Sequence, residues 1–127
     1  MPTILLIEDD PATQLLHETY LANMGTVVSF DDGAAAWHYL TSGGKADLIV
    51  TDHEMPVMTG RELLQHIRSG PEQIASIPVI VITASITVDE LSPHRVDSFV
   101  EKPVSRLRLC EIVRELLERP ASLTPQT

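Results

Sequence analysis

The sequence predicts a single α/β domain built on a doubly wound, five-stranded parallel sheet. Three observations carry that expectation. Short, β-branched apolar runs recur at Ile4–Ile7, Val27–Phe30, Leu48–Thr51 and Val79–Thr83, with a weaker fifth at Ser98–Val100. Between them apolar residues fall at helical spacing, and this strand–helix alternation is the pattern of parallel strands joined by crossovers. The length, 127 residues, suits one domain able to bury about 65–70% of its unfolded surface without staples.

Each element has its own local reason. After the first strand, Asp10 is placed to cap a helix and Pro11 to occupy its first turn, where a missing N–H costs nothing. The apolar stripe Ala12, Leu15, Leu16 and Tyr20 is then expected to face the core. Asp31 and Asp32 lead the second helix, with Ala36, Trp37 and Leu40 inward and an end near Gly43-Gly44. Thr59-Gly60-Arg61-Glu62 is a capping box, followed by Leu63, Leu64 and Ile67 at helical spacing. The run from Ile77 to Ile82 is nearly continuous, as in a strand covered on both faces. After Pro103, Leu109, Ile112, Val113 and Leu116 form the last helix, stopped before Pro120. The domain is expected over 1–119, with 120–127 a flexible tail or the start of a linker.

Composition narrows the classes. At 43% hydrophobic the chain is not generally disordered, and no apolar run approaches the length of a membrane span. Met1-Pro2 opens directly on an apolar run with no basic region before it, unlike a secretory signal, and a single cysteine, Cys110, forms no internal disulfide. A cytoplasmic location follows as the expectation. Nine basic residues against eighteen acidic ones give a net charge of −9, and residues 1–94 hold only Lys45, Arg61 and Arg68 against thirteen acids. Such a surface repels a phosphate backbone, so neither nucleic acid nor membrane is an expected partner.

Parallel sheets place their ligands at the carboxyl ends of the strands. Strand 1 ends in Glu8-Asp9-Asp10, strand 3 in Asp52, strand 4 in Thr83-Ala84, and strand 5 runs into Lys102-Pro103. Adjacent carboxylates repel one another unless a cation sits between them, and a hard divalent ion with oxygen ligands, Mg²⁺ above all, resolves the conflict. With some carboxylates on the metal, Asp52 is free as a nucleophile, and Lys102 completes a clamp for a phosphoryl group.

In these residues the chain resembles the receiver domains of two-component response regulators, of the chemotaxis-regulator type, over nearly its whole length to about residue 118. The matching pieces are Ile4–Pro11, Asp47–Asp52 with Met55-Pro56 and Gly60, Val79–Ala84, and Phe99–Pro103. All four, in order and at these spacings, are highly specific. The resemblance implies a flavodoxin-like sheet of order 2-1-3-4-5 and Asp52 as the phosphoacceptor. It implies Asp9 as a direct metal ligand, Glu8 acting through water, and the Glu54 backbone carbonyl as the remaining protein ligand. Thr83 matches the switch hydroxyl, Phe99 the switch aromatic, and Lys102 the lysine on the phosphoryl oxygens, with Lys102-Pro103 cis. The implied partners are a histidine kinase or histidine phosphotransfer protein upstream and a downstream protein or covalently linked output domain. A homodimer through the face of strand 5 and helix 5 is left open. The domain would phosphorylate and slowly dephosphorylate itself without being an enzyme that turns over free substrate.

Duller readings apply to several residues. Asp10 before Pro11 is a cap rather than a ligand. His53 points away from Asp52 along an extended chain, and His17, His38, His66 and His94 share no metal-ligand spacing. Cys110 reads as a small core residue. Among rival classes, a haloacid-dehalogenase-like phosphatase wants a second aspartate where Glu54 stands. A nucleotide-binding domain wants a glycine-rich loop where Glu8–Pro11 stand. A degenerate receiver serving only as a scaffold would lack residues that are all present here. One departure from the family stands out: Thr83 to Lys102 is shorter than the usual pattern, and Arg95-Val96 replace the usual Gly-Ala. The fourth crossover helix, within 85–98, is therefore expected to be short or irregular, and to order on phosphorylation.

Overall fold

The computed structural model describes residues 1–55, 58–84 and 96–118. Five strands, β1 (Thr3–Ile7), β2 (Thr26–Phe30), β3 (Leu48–Asp52), β4 (Val79–Thr83) and β5 (Ser98–Glu101), form one parallel sheet in the order β2-β1-β3-β4-β5. The helices are α1 (Pro11–Leu21), α2 (Gly33–Thr41), α3 (Gly60–Arg68), the single-turn α4 (Glu72–Ala75) and α5 (Arg106–Glu118). The short α4 precedes β4 and is not the crossover helix expected within 85–98. That expectation lies outside the described residues over 85–95, as does the tail 120–127.

The continuous apolar runs divide residue by residue between the two faces of the sheet. Leu5, Ile7, Ile49, Val79 and Val81 pack with α2, α3 and α4, while Ile4, Leu6, Leu48, Val50, Ile80 and Ile82 pack with α5 and Leu21. Alternate side chains of a strand point to opposite faces, so a strand covered on both sides needs no polar position until its end. At those ends the apolar code stops and the acids begin.

The helix starts follow their caps. Asp10 accepts from the Thr13 amide at 3.0 Å, Asp32 from Ala35 at 2.8 Å, and the Thr59–Glu62 box closes in both directions. In α5 all four expected positions, Leu109, Ile112, Val113 and Leu116, are buried. Helix α1 departs from expectation. Leu15 and Leu16 are 64% and 47% exposed and Ala12 is exposed too, while His17 and Leu21 take the buried positions. The reason is polar. The Gln14 amide donates to the Glu8 carbonyl at 3.0 Å just beyond β1, and at 3.2 Å to the Phe30 carbonyl of β2, which the Glu8 amide also meets. Leaving such groups unmet is costly, and apolar periodicity cannot register the requirement.

A buried ion pair closes the opposite end of the sheet. Arg68 Nη1 donates to the Ala75 and Ile77 carbonyls, each at 2.8 Å, and Nη2 meets Asp97 Oδ2 at 3.1 Å. The same Asp97 oxygen accepts from the Val79 amide at 2.9 Å, so one pair ties the end of α3 to the starts of β4 and β5. Asp97 and Arg68 are only 3% and 10% exposed. Arg68→Ala is expected to cost about 3–5 kcal/mol, because it takes the guanidinium from a buried carboxylate and leaves the Ala75 and Ile77 carbonyls without its bonds. Urea unfolding measures it, and a loss below about 1 kcal/mol would show that the pair merely decorates the loop.

Candidate functional site

Four strand ends build the site. Glu8 and Asp9 leave β1, Asp52 ends β3, Thr83 ends β4, and Lys102 follows β5. Gly60 lets α3 start hard against the end of β3: a Cβ there would lie 2.8 Å from the Asp52 carbonyl oxygen and 2.8 Å from His53 Cα. The His53 backbone holds this corner, its amide donating to the Ile82 carbonyl and its carbonyl accepting from Gly60. Lys102-Pro103 is cis, as the resemblance implied.

The geometry gathers most of the expected residues. One ligand oxygen from each of Glu8, Asp9 and Asp52 lies within 4.8 Å of the others. Lys102 Nζ is 2.9 Å from Asp52 Oδ1 and 3.1 Å from Oδ2, so the ammonium straddles the carboxylate. Glu8 and Asp52 are both 2% exposed, whereas Asp9 stands open to solvent. Thr83 is buried, and its hydroxyl donates to Glu54 Oε1 at 3.1 Å. Phe99 is half-buried on β5, opposite Val81 in the register, with its ring against the core on the α2–α3 face. Asp10 is the α1 cap, and His53 is half-buried.

Electrostatics mark the same cluster. Burial, reinforced by the charge of Asp52, pushes the Glu8 carboxyl up to about 7, even though the Asp10 amide donates to it at 3.1 Å. Burial also raises Asp52, and the Lys102 hydrogen bond and charge pull it only part of the way back. Burial acts downward on Lys102, but its bond to Asp52 and the fields of Asp52, Glu54 and Glu8 outweigh that and raise it. One observation speaks directly to a cation: Glu8 Oε1 is buried with no hydrogen-bond partner. An orphaned carboxylate oxygen beside two further carboxylates is a donor set suited to a hard divalent ion.

One feature was missed by sequence reasoning. His17 enters the cleft of about 430 Å³ beside Glu8, Asp52 and Lys102. Burial, with the Lys102 charge behind it, lowers its pKa. No spacing rule marks a single histidine on a helix whose rotation is set by Gln14. The Glu54 carboxylate, two residues beyond Asp52, turns to the end of β4, a contact that no local sequence signal gave.

A family model, the response regulator receiver domain, matches residues 4–114. The chain is 31% identical to the chemotaxis protein CheY of Pseudomonas aeruginosa over 91% of this chain and 96% of that protein. It is 32% identical to the sensor protein GacS of Pseudomonas syringae over 88% of this chain, but spans only 13% of that protein's length. Among solved structures, the signal receiver domain of a histidine kinase from Syntrophus aciditrophicus superimposes with a TM-score of 0.85 at 28% identity, covering all of both chains. The receiver domain of a sensor histidine kinase from Pseudomonas aeruginosa, solved with a magnesium ion coordinated in its active site cleft, gives 0.83 at 26% identity, covering 93% of this chain and 98% of that one. Among the described residues, no helix is long and apolar enough to cross a membrane.

Proposed function

Because the chain belongs to the response regulator receiver domain family of two-component systems, we propose that Asp52 accepts a phosphoryl group from a partner's phosphohistidine. The carrying observation is the Asp52 carboxylate held between an acidic pair and an ammonium: Glu8 and Asp9 within 4.8 Å on one side, Lys102 at 2.9 Å on the other.

The chemistry follows from that placement. An Asp52 oxygen attacks phosphorus in line, an O–P bond forms, and the P–N bond to the donor's imidazole breaks. Lys102, already on Asp52, follows the charge onto the phosphoryl oxygens. Phosphoryl transfer requires positioning and charge neutralisation rather than covalent help, and this site supplies both. Glu8, Asp9, Asp52 and the Glu54 carbonyl would hold Mg²⁺, which when bound neutralises the carboxylates and the developing phosphoryl charge. Thr83 is the hydroxyl placed to read out the new group from the end of β4, and Phe99 the ring that responds to it. A histidine kinase or phosphotransfer protein is the proposed donor, and a downstream protein or linked output domain the proposed reader. Self-phosphorylation and slow self-dephosphorylation are the whole of the chemistry.

Incubation with a small acyl phosphate and Mg²⁺ tests the function. The protein is expected to retain one phosphoryl group by intact mass, and to require Mg²⁺ for it. Continuous release of phosphate with no retained adduct would instead identify a phosphatase.

A further inference from the structure

Glu54 stands two residues beyond Asp52 with an exposed side chain, yet one of its carboxylate oxygens is engaged at the end of β4. Its Oε1 accepts from the Thr83 hydroxyl at 3.1 Å and from the Ala84 amide at 2.9 Å. On the other side the Glu54 amide donates to Asp52 Oδ1 at 3.3 Å. Asp52 lies opposite Ile82 in the β3–β4 register, so Thr83 and Ala84 follow one and two residues further along, at the same edge of the sheet. One carboxylate oxygen thus accepts from two donors at the end of β4, on the sheet edge that Asp52 shares.

We infer that the Glu54 carboxylate is an internal substitute for the phosphoryl group, holding the Thr83 hydroxyl and the Ala84 amide until Asp52 is phosphorylated. This rests on the receiver function proposed above. A hydroxyl and an amide each have one proton to give. A phosphoryl group on Asp52 brings three acceptor oxygens and a charge of about −1.5 to −2 beside Glu54. It competes for both donors and repels the carboxylate that holds them. The exchange is one for one: two hydrogen bonds leave Glu54 and two form to phosphoryl oxygens. Glu54 is therefore a positioning residue. In the resting protein it orients Thr83, and at the same time it opposes phosphorylation.

The test uses the full chain with beryllofluoride and Mg²⁺ as the phosphoryl mimic, read by calorimetry and by the Ala84 amide resonance. Glu54→Ala is expected to bind the mimic about tenfold more tightly than wild type, the scale of one charge-assisted hydrogen bond no longer contested. In the mimic-free variant the Ala84 amide proton moves upfield, as its bond to a carboxylate is lost. Glu54→Gln keeps an acceptor oxygen without the charge, and falls between wild type and Glu54→Ala in affinity. Equal or weaker mimic binding by Glu54→Ala, or an unmoved Ala84 amide, would overturn the inference while leaving the receiver function intact. Failure of wild type itself to bind the mimic would overturn the receiver reading, and this inference with it.

Discussion

Asp52→Asn is expected to reduce phosphoryl uptake from an acyl phosphate to background while leaving the protein folded and no less stable. The two halves share one cause. Asp52 is almost fully buried beside Glu8 and Glu54, and burial raises its carboxyl despite Lys102. A group whose folded pKa lies above its ordinary value is better tolerated neutral than charged. Asparagine removes the attacking oxygen's charge and also relieves the carboxylate crowding, so the variant's melting temperature is expected to equal or exceed that of wild type. A site held for function at a cost in stability behaves in this way. Thermal unfolding and intact mass on the same preparation check both halves. A large drop in melting temperature would mean that the Asp52–Lys102 ion pair is structural first.

Asp9→Ala is expected to weaken Mg²⁺ binding at least about tenfold, or roughly 1.4 kcal/mol, in isothermal titration. Asp9 is the exposed member of the carboxylate trio, so its removal disturbs no packing. The same titration has a pH signature. With its carboxyl raised to about 7 by burial and the charge of Asp52, Glu8 carries a proton below neutrality in the metal-free protein. A cation must displace that proton, so affinity falls as pH drops through about 7 and is full above it. Glu8→Gln removes the titrating group and is expected to flatten the profile while lowering affinity throughout. A profile unchanged by Glu8→Gln would place the metal elsewhere.

The strands and the site's acids were legible in the sequence for the same reason. A parallel strand covered on both faces is apolar to its end, so the residues that break the run, Glu8, Asp9 and Asp52, announce both the strand boundary and the cluster. The capping box at Thr59 and the buried stripe of α5 were equally local signals. What escaped was long-range and polar. Gln14 turns α1 because it must meet carbonyls of β1 and β2, which exposes Leu15 and Leu16 against the apolar pattern. Arg68 finds Asp97 across 29 positions, and Glu54 finds Ala84 across 30. No periodicity joins residues so far apart. Helix α4 is one turn opened by Pro71, too short to show a helical repeat.

On the proposed function the phosphoryl group resides on an oxygen of Asp52. Reduction of the phosphorylated protein with borohydride tests it most directly, since an acyl phosphate on aspartate becomes homoserine and is located by peptide mass mapping. Homoserine is expected at position 52 alone, formed only when Mg²⁺ was present during phosphorylation. Homoserine at Asp9, a reduced side chain at Glu54, or a phosphoryl group found intact on His53 would contradict it.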